Sequence, residues 1–316
     1  MCIALMTTAH PHYPFILLNN RDEYLNRATA PATWWSAPNV HVLGGYDLER
    51  EEKGTWLGIT KQGRVAVLTN FKEEGQPLRA SKSRGGIIKE FLTTLPESVE
   101  TTEKSAERLI VGYRNQDVGG FSLALGQVNP SKSQGEPGLA IISNRTPDVT
   151  GATWIATAPG MIHGLSNSHY GDRTWPKVTQ GEQMLAAAVK ESVNKREKED
   201  KFIERLFQIL CTNTMPRRRS DESWEAYLYQ LRKSIFIPAL SPASDQHKSA
   251  DEIAAANGTE KLSSSSGAAY GTQKQTVILV KADGRVVFVE RTLYDQRGRP
   301  VEKSEGERRF DFVCDC

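Results

Sequence analysis

The sequence predicts a layered α+β fold rather than a doubly wound parallel sheet, on three observations. Strand-length apolar runs come in groups (residues 2–7, 15–19, 56–60 and 65–69, then 121–125, 139–143 and 154–158), with helical patterns gathered between them. Hairpin turns join two pairs, at Lys61-Gln62-Gly63-Arg64 and Ala282-Asp283-Gly284-Arg285, and a hairpin pairs its strands antiparallel. Neither a G-x-x-x-x-G-K-[ST] loop nor a strand-linked G-x-G-x-x-G occurs, so the nucleotide-binding parallel folds are not indicated.

Taken in order, residues 2–7 and 15–19 flank His10-Pro11-His12-Tyr13-Pro14, a loop whose prolines cannot donate to a ladder. Gly63 supplies the left-handed dihedral of the turn between 56–60 and 65–69. A helix is expected over 83–95, with Ile87, Ile88, Phe91 and Leu92 at helical spacing and Pro96 as its stop. A second runs over about 103–115 through Ala106, Leu109, Ile110 and Tyr113. After the middle strands and the run 161–167, Pro176 sits in the first turn of a helix over 175–190, where its missing N–H is harmless. Helical stretches at 202–210 and 223–235 flank the basic break Arg217-Arg218-Arg219, and the hairpin 275–281/286–291 and an edge strand at 309–313 complete the chain.

We read residues 1–316 as one domain carrying a charged helical insertion at about 195–237 and a disordered Ser/Ala-rich insertion at about 238–271. The second includes Ser263-Ser264-Ser265-Ser266 and has too few large apolar residues to offset its ordering entropy.

With 40 basic against 38 acidic residues the net charge is +2, which excludes a dedicated nucleic-acid binder. The longest apolar runs, such as 15–18 and 277–280, fall far short of the ~18–20 residues of a membrane span. The first residues have no basic n-region, so no secretory leader is expected. Cysteines at 2, 211, 314 and 316 provide neither a disulfide framework nor zinc spacing, and a reducing, cytoplasmic setting follows. No H-E-x-x-H is present, and no metal or required cofactor is expected.

Cys2 is the most informative residue. If Met1 is removed, the chain begins with a thiol and a free α-amine, whose ordinary pKa of ~7.7–8.0 suits it to act as the nucleophile's own base. The bland alternative is a small residue starting a buried strand. Asn19-Asn20-Arg21-Asp22-Glu23 follows the second strand, and pairing of the first two strands would bring Arg21 or Asp22 beside residue 2. Otherwise the run is a solvated turn. Asn70 and Asn167 end strands, where asparagine either caps a turn or supplies the N–H donors of an oxyanion hole. Trp34, Trp35 and Trp56 supply aromatic surface for a pocket or simply core. His163 and His169 are candidate axial haem ligands, against the commoner structural role of a lone histidine.

A string of ordered motifs resembles the NRDE family, that of the transport and Golgi organisation 2 proteins. They are Met1-Cys2-Ile3, Asn20-Arg21-Asp22-Glu23, Gly54-Thr55-Trp56-Leu57-Gly58-Ile59, Thr69-Asn70, Arg84-Gly85, Gly164-Leu165-Ser166-Asn167, Tyr270-Gly271-Thr272, 278–284 and Glu290-Arg291. The resemblance spans the chain except about 195–269. It implies an N-terminal-nucleophile (Ntn) hydrolase-like fold, a four-layer αββα sandwich of two antiparallel sheets. It further implies a cysteine amidohydrolase or thioesterase site for a small amide or thioester, with Cys2, Asp22, Asn70 and Asn167 catalytic and Asn20, Arg21, Trp56 and Lys274 at the substrate. Gln273 stands where the family pattern leads one to expect arginine, with Lys274 beside it as a partial substitute. The family association is with Golgi organisation, protein secretion, lipid homeostasis and haem mobilisation. The alternative function is therefore a non-catalytic carrier for haem or acyl-lipid/acyl-CoA, in the cytoplasm or peripheral at Golgi or mitochondria, with no protein partner specified.

Overall fold

The computed structural model describes residues 2–70, 83–114, 116, 118–129, 138–241, 269–295 and 297–315. Its first sheet is built from β1 (Ile3–Thr7), β2 (Phe15–Tyr24), β10 (Ile162–Ser166), β11 (Tyr270–Val280), β12 (Arg285–Thr292) and β13 (Glu307–Val313). These run in the order β10-β1-β2-β11-β12-β13. The second sheet is a meander of β3 (Thr29–Trp34), β4 (Val42–Asp47), β5 (Leu57–Thr60), β6 (Arg64–Asn70), β7 (Phe121–Gln127), β8 (Leu139–Ser143) and β9 (Thr153–Ile155) in chain order. All neighbouring strands of both sheets pair antiparallel.

Strand alternation produces the layers. In β2, Phe15 and Leu17 join residues of the second sheet in a core between the sheets, while Ile16 and Leu18 turn the other way. They meet α3 (Pro176–Lys195) and α4 (Glu199–Leu210) on the outer face. The outer face of the second sheet is covered in the same way by α1 (Arg84–Leu92) and α2 (Thr102–Tyr113). The result is the αββα sandwich, and its central strands read as continuous apolar runs because both faces are dry. Gly54 and Gly85 mark a close crossing of backbones at the start of α1, where a Cβ on Gly54 would lie 2.5 Å from the Gly85 carbonyl carbon. Gly63 and Gly284 both adopt positive φ in their hairpin turns. Among the described residues no helix is long and apolar enough to cross a membrane.

Several expectations are corrected. Strands β3 and β4 lie in a stretch to which the sequence reading assigns no element. The segment 195–237 is not an appendage, since Phe202, Ile203, Leu206, Phe207, Ile209 and Leu210 of α4 are buried against the first sheet. The helix expected over 223–235 is a short α5 (Trp224–Tyr229) followed by a 3-10 turn. Of the stretch expected as a disordered insertion, 242–268 lies outside the described residues, while Leu240 bridges Tyr270 and β11 already begins there.

Two residues expected at the substrate are instead structural. Asn20 is fully buried on the helix side of β2, where its Nδ2 donates to the carbonyls of Leu210 (2.8 Å) and Ile235 (2.9 Å). Its Oδ1 accepts from Gln275 Nε2 at 3.2 Å. Lys274, 2% exposed, is 3.4 Å from Glu290 Oε1 and donates to Thr292 Oγ1 at 3.1 Å. The same Glu290 oxygen accepts the Ala32 N–H of the second sheet at 2.7 Å, so this ion pair joins the two sheets.

Two stability outcomes follow, both read by chemical denaturation. Leu17→Ala removes buried apolar volume from the core between the sheets and should lower unfolding free energy by about 2–5 kcal/mol, against under about 1.5 kcal/mol for Leu17→Met. Asn20→Ala strands two buried carbonyls and should cost about 2 kcal/mol or more, at about 1–3 kcal/mol for each unsatisfied group.

Candidate active site

Residue 2 stands at the head of β1, the strand flanked by β2 and β10. Ile3 pairs with Asn20 on one side and Ser166 on the other, so the next step along each antiparallel ladder sets Cys2 beside Arg21 and Asn167. The half-buried Cys2 thiol lies 3.7 Å from the Asp22 carbonyl, to which it donates. Its own carbonyl accepts from Ser166 Oγ at 2.7 Å, and the Ser166 carbonyl accepts from Thr69 Oγ1 of the second sheet, also at 2.7 Å. The strand ends bearing Cys2, Asn167 and Asn70 are thereby fastened together across the sandwich.

Asn167 and Asn70 are in direct contact, but not through two side chains. Asn167 Nδ2 donates to the main-chain carbonyl of Asn70, whose residue is exposed. The Asn167 Oδ1 is buried with no hydrogen-bond partner among the described residues. Asn167 can thus offer the remaining hydrogen of its amide to a developing oxyanion. What meets Asn167 is the backbone of Asn70.

Arg21 is buried with its guanidinium 4.5 Å over the Trp56 ring and 3.9 Å from Glu23. It also donates to Gln273 Oε1. Gln273 occupies an irregularity in β11, where the register against β2 shifts between Thr272 and Lys274. Its Nε2 donates to the carbonyls of Leu25 (3.1 Å) and Arg27 (3.0 Å). A neutral acceptor therefore sits where a second guanidinium would repel Arg21. Trp56 acts as a floor for that guanidinium, whereas Trp35 donates its indole N–H to Gly44 and Trp34 packs edge-on against Phe312.

Asp22 is held on the opposite face of β2. Its Oδ1 accepts from Thr272 Oγ1 at 2.7 Å, and its Oδ2 lies 3.9 Å from Lys177 Nζ, both side chains being fully buried. Tyr270 donates to the Asp22 carbonyl at 3.1 Å, sharing that acceptor with the Cys2 thiol. Lys177 escaped the sequence reading. The available signal was a cation in the first turn of α3, where the helix dipole disfavours positive charge. Burial pushes the Cys2 thiol above its ordinary range in the Met1-bearing chain, with the Asp22 charge adding and the Arg21 guanidinium opposing. Burial likewise pulls Lys177 down, and the Asp22 carboxylate pulls it back up.

His163 offers no unused ring nitrogen to a haem iron. His163 Nε2 accepts the Ala156 N–H at 3.2 Å and its Nδ1 is 2.8 Å from the Tyr170 hydroxyl, so both ring nitrogens are already used. His169 is exposed and lines a cavity of about 100 Å³ with Ser166, Tyr170, Trp175 and Glu182. Among the described residues no group of three His, Cys, Asp or Glu side chains is placed to hold a metal ion.

The family model described as Transport and Golgi organisation 2 matches residues 1–295. The uncharacterized protein YGR127W of Saccharomyces cerevisiae is 30% identical over 338 residues, covering 99% of each chain. The Homo sapiens Transport and Golgi organization protein 2 homolog is 30% identical over 289 residues, covering 90% of this chain and 88% of its own. Among solved structures, the Caenorhabditis elegans N-acylethanolamine-hydrolyzing acid amidase ortholog is similar at 13% identity and a TM-score of 0.41, over 69% of this chain and 88% of its own. Matched over nearly its whole length, the chain belongs to the Transport and Golgi organisation 2 family.

Proposed function

We propose that the protein is a cysteine N-terminal-nucleophile hydrolase of small amides or thioesters, active once Met1 is removed. The observation that carries this reading is the clustering of the Cys2 thiol, the Arg21-Asp22 pair and the Asn167 amide at one end of the sandwich. In the reaction, the α-amine of Cys2 takes the thiol proton and the sulfur attacks the substrate carbonyl. The tetrahedral oxyanion accepts from the free Asn167 amide hydrogen. Collapse expels the amine or thiol leaving group, which takes the proton back from the α-amine, and water then hydrolyses the Cys2 acyl-enzyme by the same route. Asp22 holds the α-ammonium or orients the amine, and Arg21 offers a cation to an anionic substrate group. The relatives' names add Golgi organisation as the setting, with the protein acting from the cytoplasm at the membrane surface.

A carrier on the same scaffold, holding an acyl-lipid without turning it over, is favoured by one observation. Gln273 occupies a hydrogen-bonding group of Arg21, and burial pushes the Cys2 thiol upward.

Intact-mass analysis of the purified native protein should show Met1 absent, and only that form should become acylated by a thioester probe. Cys2→Ala should abolish turnover, and equal turnover in that variant would exclude the mechanism. Asn167→Ala should lower kcat by roughly 10²–10³-fold at nearly unchanged KM, the usual effect of losing one oxyanion donor. Saturable acyl-lipid binding without turnover in the processed form would favour the carrier instead.

A further inference from the structure

Beneath the reactive end of β1, α3 opens with Pro176-Lys177, preceded by Trp175 as its N-cap residue. Lys177 is 0% exposed, and its ammonium lies 3.9 Å from Asp22 Oδ2, itself fully buried. Trp175, two residues earlier, contributes the indole that faces the same ammonium at 5.8 Å. Three physical considerations make this lysine unusual as a packing residue. A buried cation is strongly desolvated, and an ion pair buried on both sides adds little stability over apolar packing. A cation in the first turn of a helix also opposes the helix dipole. The carboxylate of the pair belongs, moreover, to the same residue whose main-chain carbonyl accepts the hydrogen bond of the Cys2 thiol.

We propose that Lys177 is the positioning residue of this site, holding Asp22 as a carboxylate against residue 2 and thereby tuning the reactivity of the Cys2 thiol. The inference rests on the reading of Cys2 as nucleophile but does not depend on turnover. The ionisable groups around the thiol are the α-amine of the chain, Arg21 and Asp22 from β2, Lys177 from α3 and Tyr270 from β11. Thr272 fixes one Asp22 oxygen and Lys177 balances the other. Without the ammonium, the carboxylate stands uncompensated beside the sulfur in the alkaline range where the thiol titrates, and it disfavours the thiolate.

The test is the pH dependence of alkylation of Cys2 by iodoacetamide, followed by mass spectrometry, with the exposed Cys211 as internal control. Lys177→Met should move the Cys2 midpoint up by about one pH unit, roughly a tenfold loss of thiolate at a fixed pH below it, and leave Cys211 unchanged. Lys177→Arg, which keeps the charge, should retain the native midpoint. A folded Lys177→Met variant with the native midpoint overturns the proposal. If that variant does not fold, the side-chain ¹⁵N resonance of Lys177 in the native protein decides. It should shift as Cys2 titrates, and a resonance indifferent to that titration overturns the proposal. A retained Met1 together with a Lys177-dependent midpoint would sink the hydrolase reading alone.

Discussion

The first sheet carries a charged strand end through a region covered on both faces. β2 begins with Phe15-Ile16-Leu17-Leu18 and continues as Asn19-Asn20-Arg21-Asp22, every one of these residues buried. Water cannot satisfy their polar groups, and an unmatched buried charge would be far more destabilising than any one packing contact is stabilising. The neighbouring elements are therefore built to supply partners. Asn20 takes up carbonyls from the end of α4 and from Ile235, Arg21 finds Gln273 and the Trp56 ring, and Asp22 finds Thr272 and Lys177. Much of the arrangement of β11, α3 and α4 around β2 can be understood as satisfying this one strand.

The same constraint makes chemistry available. A strand end that must be polar and dry places a carbonyl acceptor, a guanidinium and a carboxylate within one residue of each other, and β1 delivers its first residues beside them. Serine and threonine hydroxyls from β10 and β6 then fasten the strand ends on which Asn167 and Asn70 sit. Opposite charges on the two faces of β2, Arg21 toward the second sheet and Asp22 toward α3, let the site carry several ionisable groups without mutual neutralisation. The buried Lys274–Glu290 pair performs a different task nearby, bonding the two sheets through the Ala32 N–H.

What was legible in the sequence follows from which interactions are local. Period-2 and period-3.6 patterns exposed the strands and helices whose partners are apolar, because any apolar neighbour satisfies them. They failed at the second half of β2 and the start of β11 before Gln275, since Asn20–Asp22 reads as a solvated turn and Thr272–Lys274 carries no apolar alternation. They failed again at β3 and β4, where Pro31 and the glycines 44–45 mimic a loop. Candidate site residues reached through motif order, Cys2, Arg21, Asp22 and Asn167, meet at one sheet end. Asn20 and Lys274 belong to the fold, and nothing in their local sequence distinguishes a residue that binds a ligand from one that binds a helix end.

The sequence by itself determined the α+β class, the antiparallel hairpins, the neutral charge balance and the position of the cysteine second in the chain. Each of these is a property of composition or of residues within a turn of one another. The tertiary structure decided that α4 is part of the sandwich, that the backbone of Asn70 meets Asn167, and that Lys177 stands behind Asp22. Those outcomes depend on contacts between residues 97 and 155 positions apart, or on which face of a doubly covered strand a polar group is given. Burial converts such a group from a solvated residue into one that requires a particular partner, and only the assembled layers determine which partner that is.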